Sequence, residues 1–273
     1  MIEKKNTLLS VAVAMALTAC GGGGGSSTST PAAPTVLSTA SGKAVDGYLS
    51  LATVLCDTNK NGVADTGEAV VPTDVQGNFA FSPACASNIV VTGGTNIDTG
   101  LPFTGVLKAT AGSTVATPLT SLMADSGLTS AQIATFLGLP AGTDLTTLDP
   151  SAKNTDGSLK NAVLQQKTLA LQQIIQQTAN TIGTLAQNST ASSLQAIYSE
   201  VVKAVAAALA ANPSATLIDT SGNVSGSLVS NIVQQSVTNV ANSANSALAA
   251  VKTTVAGFSG ASVAAMAAAA CRR

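Results

Sequence analysis

The chain has no histidine and no tryptophan, and aromatic residues make up only 3% of it. Without histidine there can be no Ser-His-Asp triad, no Cys-His dyad, no imidazole-ligated zinc and no imidazole acid or base. The sequence also lacks a Gly-x-Ser-x-Gly elbow, a Ser-x-x-Lys dyad, a phosphate-binding loop and a Gly-x-Gly-x-x-Gly fingerprint. Catalysis would rest on carboxylates alone. The candidates, Asp98, Asp125, Asp144 and Asp149, read better as turn or cap residues, so the expectation is that the protein is not an enzyme. Charge is scarce too, with 12 Lys+Arg against 13 Asp+Glu. With no basic patch and no aromatic platform, nucleic acid is not an expected partner.

What is present begins with an address. Lys4 and Lys5 precede a short apolar run, Leu8 to Leu17, and Leu17-Thr18-Ala19-Cys20 closes it. Such a run is too short for a spanning helix and has the form of a removed signal. Residues 1–20 resemble the signal peptide and lipobox of bacterial lipoproteins. The resemblance implies a signal peptide over 1–19 and diacylglycerol plus an amide-linked acyl chain, such as palmitate, on Cys20. Each buried CH₂ contributes about 0.8 kcal/mol, so two or three acyl chains anchor stably to a membrane. Gly21 after the lipidated cysteine resembles the arrangement sorted to the bacterial outer membrane, facing the periplasm or the cell surface. Residues 20–40 are otherwise Gly, Ser, Thr, Pro and Ala, apart from Val36 and Leu37, and carry no charged side chain, which makes a flexible tether.

Residues 41–113 read as strands: Lys43 to Val45, Ala52 to Cys56, Gly77 to Phe81, Asn88 to Val91 and Phe103 to Leu107, rich in Val, Thr, Ile and Phe and punctuated by Gly, Asn and Asp. From residue 114 the pattern turns helical. Thr117-Pro118 places an N-cap before a proline at the first helical position, and Thr129-Ser130-Ala131-Gln132 is a capping box. Apolar stripes predict helices over Ser158 to Gln187, Ala191 to Ala211 and Ser225 to Ala256, and the alanine-rich stretch beyond predicts a short closing helix. The expected fold class is α+β as two domains, a small N-terminal β-sandwich over 41–113 followed by a C-terminal α-helical bundle over 114–273.

Of the four cysteines, Cys20 is assigned to lipid. Cys56 and Cys85 fall in the same strand-rich region and are the natural disulfide pair in an oxidising envelope, with Cys271 left over or able to pair with either. The sharpest motif is Asp57-Thr58-Asn59-Lys60-Asn61-Gly62-Val63-Ala64-Asp65-Thr66-Gly67-Glu68, which fits the calcium-loop pattern Asp-x-Asn-x-Asn-Gly-x₅-Glu at every position. Calcium takes six to eight hard oxygen ligands. Here they would come from the side chains of Asp57, Asn59 and Asn61, the Val63 carbonyl, Asp65 and a bidentate Glu68.

Strand-like residues flank this loop, Val54-Leu55-Cys56 before it and Ala69-Val70-Val71 after it, so it is not an EF-hand. Together with Gly47-Tyr48-Leu49, Asp65-x-Gly67-Glu68 and Thr73-Asp74-x-x-Gly77-Asn78-Phe79, it resembles the calcium-stabilised SdrD B-like and Cna-B-like, or carboxypeptidase-regulatory-like, sandwiches of bacterial surface proteins. That resemblance implies a structural or adhesive display module with calcium as its cofactor, a protein or cell-surface partner, and a membrane partner through Cys20. The alternative is a periplasmic or surface lipoprotein that binds a small molecule or glycan between sandwich and helices.

Overall fold

Along each central strand, neighbouring side chains enter different cores. The computed structural model describes residues 39–137, 139–212, 224–258 and 260–270. Its strands are β1 (Ala40–Ala44), β2 (Leu49–Ser50), β3 (Thr53–Asp57), β4 (Val70–Pro72), β5 (Asn78–Phe81), β6 (Asn88–Thr92), β7 (Thr95–Asn96), β8 (Val106–Ala109) and β9 (Val115–Ala116). The residues read as signal peptide and tether up to residue 38, Cys20 among them, and Cys271 lie outside the described residues.

Strands β4-β3-β6-β8 form an antiparallel sheet in that order. A second sheet, β5-β1-β9, pairs β1 antiparallel to β5 and parallel to β9, and β2 pairs with β7 as a short ribbon. Val54, Cys56, Ile89, Val91, Leu107 and Ala109 of the four-stranded sheet share a core with Phe79, Phe81, Ala44 and Ala116 of the three-stranded one. The two sheets therefore pack as layers. Leu55, Val90 and Val106, offset by one residue and so on the opposite face, belong to the core made by the helices. Both faces of β3, β6 and β8 are thus covered, and each of these side chains contributes about 1.5–3 kcal/mol by leaving water.

The helices are α1 (Pro118–Ser126), α2 (Ser130–Phe136), α3 (Ala162–Leu185), α4 (Ala191–Ala211), α5 (Gly226–Asn242), α6 (Ala249–Ala256) and α7 (Gly260–Ala270). Their starts follow the capping residues. Thr117 caps α1 with a reciprocal Thr120 bond, Thr129 and Gln132 form the capping box of α2, and Asn161, Thr190 and Ser225 cap α3, α4 and α5. The helix expected over 225–256 is broken. At Ser243 the backbone turns extended (φ −62°, ψ 138°), and the Ser243 hydroxyl donates to Glu200 Oε1 and accepts the Asn245 N–H. Local serine and asparagine bonds here replace the helical ladder, and a single 3₁₀ turn, Ser246–Leu248, leads into α6.

The change from strand to helix near residue 114 is not a break in packing. All the described residues fall within one compact unit, because the helix-facing side of the four-stranded sheet is part of the helical core. Helix α4 is long and apolar enough to cross a membrane by length and composition, and 56% of its apolar window is buried inside the protein. It packs against α1, α3 and α5. The free edge of β8 is covered by the start of α1, where the Thr120 hydroxyl donates to the Lys108 carbonyl (2.6 Å) and Ser121 Oγ accepts the Lys108 N–H (2.8 Å).

Candidate metal loop and its surroundings

The Asp57–Glu68 loop leaves the end of β3 and returns just before β4. Its curl follows from asparagine and aspartate side chains that bond the backbone ahead of them. Asp57 Oδ1 accepts the Asn61 N–H (3.1 Å) and Oδ2 the Gly62 N–H (2.9 Å). Asn59 Oδ1 accepts from Asn61 N (3.0 Å), and Asn61 Oδ1 from Val63 N (2.7 Å). Gly62 sits at φ +79°, in the left-handed region where a side chain would be strained, which is why glycine stands at the centre of the turn.

The second half closes onto the first. Glu68 Oε1 accepts the Thr58 N–H (2.7 Å), the Thr58 hydroxyl (2.8 Å) and the Asn59 N–H (3.3 Å), while Oε2 accepts the Asp65 N–H (3.1 Å). Asp65 Oδ2 accepts from Nδ2 of both Asn59 (2.8 Å) and Asn61 (2.6 Å). Asp57, Asn59, Asn61, Asp65 and Glu68 therefore form one hydrogen-bonded ring, with Val63 tied in through its N–H. The loop is pinned at its base by the Ser87 hydroxyl, which donates to the Asp57 carbonyl (2.6 Å). The Cys56–Cys85 disulfide lies next to it, with a Cα–Cα distance of 5.6 Å, as the sequence suggested.

The electrostatics of the ring are uneven. Burial pushes the Asp57 carboxyl above its ordinary value and the Glu68 charge adds to this, with N–H bonds from Gly62 and Asn61 and the Lys108 charge pulling the other way. Glu68 is held below its usual range, mainly by the Thr58 hydroxyl and then by the N–H groups of Asp65, Thr58 and Asn59. A divalent cation would relieve both the burial cost and the repulsion at Asp57, and the donor set is entirely hard oxygen, so the residues fit calcium in kind. Their arrangement is turned inward, however. Among the described residues no three His, Cys, Asp or Glu side chains gather as a metal-holding group. Asp65 faces the asparagine amides and Glu68 faces Thr58, so an ion would have to displace these donors.

The loop is not free in solvent. Gly62, Val63 and Ala64 lie across a small gap from Ala191, Ser192 and Gln195 at the start of α4. Three of the four aspartates weighed as catalytic groups are turn or surface residues. Asp144 Oδ1 accepts from the backbone and hydroxyl of Thr146, Asp149 Oδ1 accepts the Ser151 N–H, and Asp98 lies 3.4 Å from Lys153. Asp125 departs from that expectation. It forms a 2.9 Å ion pair with Lys108, each side chain about 10% exposed. The signal that could have revealed it is Lys108 itself, a lysine between Leu107 and Ala109 in a strand buried on both faces.

The chain matches no protein-family model, no curated protein and no solved structure.

Proposed function

We propose that the chain is an envelope lipoprotein, anchored by acyl groups on Cys20 in the bacterial outer membrane and facing the periplasm or the cell surface. It displays the disulfide-closed sheets and their helical layer in a structural, adhesive or protein-interaction role. In this reading the protein performs no catalysis, and calcium stiffens the loop through Asp57, Asn59, Asn61, the Val63 carbonyl, Asp65 and Glu68.

The observation that carries the reading is the oxygen-rich ring at the end of β3, set beside the Cys56–Cys85 bond. A stiffened turn at the end of a two-sheet stack suits a module that bears load or presents a surface, and a fully coordinated ion leaves no open position for a substrate. The lipobox residues Leu17-Thr18-Ala19-Cys20 supply the anchor. Cell fractionation tests it: Cys20→Ser is expected to leave the membrane fraction, and protease added to intact cells distinguishes the outward from the periplasmic face. If Cys20→Ser protein still pellets with membranes after a carbonate wash, the anchor lies elsewhere and the reading fails.

A further inference from the structure

Beside the loop, between the sheets and the helices, lies an open cavity of about 650 Å³. Lys60 of the loop, Lys108 of β8, Asp125 of α1, and Glu200 and Lys203 of α4 supply its charged lining. The Lys108 ammonium bonds Asp125 Oδ1 at 2.9 Å and also donates to the Ser199 hydroxyl. Asp125 Oδ2 is buried with no hydrogen-bond partner among the described residues. A buried ion pair is weak as a stabilising device, and an unpartnered buried carboxylate oxygen is costly. Keeping both beside a polar cavity points to a ligand that completes them.

We infer that this cavity binds a small acidic sugar, a hexuronate or a uronate-ended disaccharide. The volume falls in the range of small-molecule sites, and every lining residue except Ala207 and Ala244 is polar or charged, which suits a polar ligand. Three lysines against two carboxylates leave one positive charge, which suits a single carboxylate better than a dianion such as phosphate. Lys108 is paired with Asp125 and the Lys203 ammonium lies 3.2 Å from Glu200 Oε1, so Lys60, exposed on the loop, supplies the surplus charge for that carboxylate, with the 46%-exposed Lys203 side chain beside it.

The wall is a fixed polar seam. Gln235 donates to Asn239 (2.8 Å), Asn239 to the Glu200 carbonyl (3.1 Å) and Ser243 to Glu200 Oε1 (2.9 Å). The remaining donors and acceptors of these amides and hydroxyls suit sugar hydroxyls. Among the described residues no aromatic ring lines the cavity, so a neutral sugar has nothing to stack on and the acidic group must carry the affinity. The inference deepens the ligand-binding alternative and holds whether or not the loop takes calcium.

Titration calorimetry on the detergent-solubilised full chain tests it, with glucuronate, glucose and inorganic phosphate as probes, each in calcium and in chelator. Glucuronate is expected to bind at least about tenfold more tightly than the other two, and more weakly as ionic strength rises from about 0.1 M to about 1 M, where the Debye length falls from about 10 to about 3 Å. Lys60→Gln should weaken it about fivefold, the scale of an exposed ion pair, with the melting temperature unchanged, and Lys203→Gln should weaken it too while also removing the ion pair to Glu200. No glucuronate binding in either buffer, equal binding of glucose or phosphate, or wild-type affinity in both variants would overturn the inference. Glucuronate binding retained alongside a complete lack of calcium response would overturn the calcium loop and leave this site standing.

Discussion

Leu55→Ala discriminates between a sandwich standing by itself and a sheet shared with the helices. Leu55 is 4% exposed and belongs to the helical core with Val90 and Val106, whereas its neighbour Val54, wholly buried, faces the other sheet. Truncating a buried leucine removes its transfer free energy and leaves a cavity, a loss of about 2–5 kcal/mol. If the helices formed a separate domain, the Leu55 face would meet water, and the substitution would fall within about 0.5 kcal/mol of neutral. For a chain of this size each kcal/mol lowers the melting temperature by about 2–4 °C, so a drop on the order of 10 °C is expected. Hydrogen exchange followed segment by segment should show β6 and α4 losing protection together. Two separate transitions, or an unchanged melting temperature for Leu55→Ala beside a destabilised Val54→Ala, would refute the shared core.

Replacing both Cys56 and Cys85 by Ala opens a loop spanning 29 residues, which by chain entropy should cost about 3–4 kcal/mol, read as a shift of the urea midpoint; an unchanged midpoint in oxidised protein would mean the bond adds nothing. Asp46, between β1 and β2, is pushed up to about 7 from 3.8 by burial, and its Oδ1 has no hydrogen-bond partner among the described residues. Folding therefore favours the protonated acid, and its contribution is whole below the unfolded value and lost as pH rises through about 7. The displacement corresponds to at most about 4 kcal/mol, so wild-type protein should be less stable at about pH 8 than at about pH 5, and Asp46→Asn should flatten that slope. A slope unchanged in Asp46→Asn would assign it to other groups.

Local rules made part of the fold readable. The Thr129–Gln132 capping box, the Thr117-Pro118 start and the 191–211 helix are set by residues within a few positions of one another, and all stand as read. The Cys56–Cys85 pairing was legible from shared strand context. What was not legible depends on distant partners. Val54-Leu55-Cys56 reads as a buried strand, but nothing in it says that the odd face meets helices. The strands β2, β7 and β9 are two residues each, too short to carry a period. The break at Ser243 depends on Glu200, 43 positions away. At the loop, sequence spacing gave every donor type, but not the hydrogen bonds that turn Asp65 and Glu68 toward Asn59, Asn61 and Thr58.

The most direct test of the account is the melting temperature with calcium against a magnesium control. Extracellular calcium modules bind with a Kd of about 10⁻⁴ to 10⁻³ M. At a hundredfold excess over Kd the native state gains about 2.7 kcal/mol, a shift of several degrees. That shift is expected in wild-type protein and is lost in Asp57→Ala/Glu68→Ala, with the helical circular-dichroism signal retained. Wild-type protein whose melting temperature is the same in calcium and magnesium would contradict it, and the Asp57–Glu68 ring would then be a turn closed by its own hydrogen bonds.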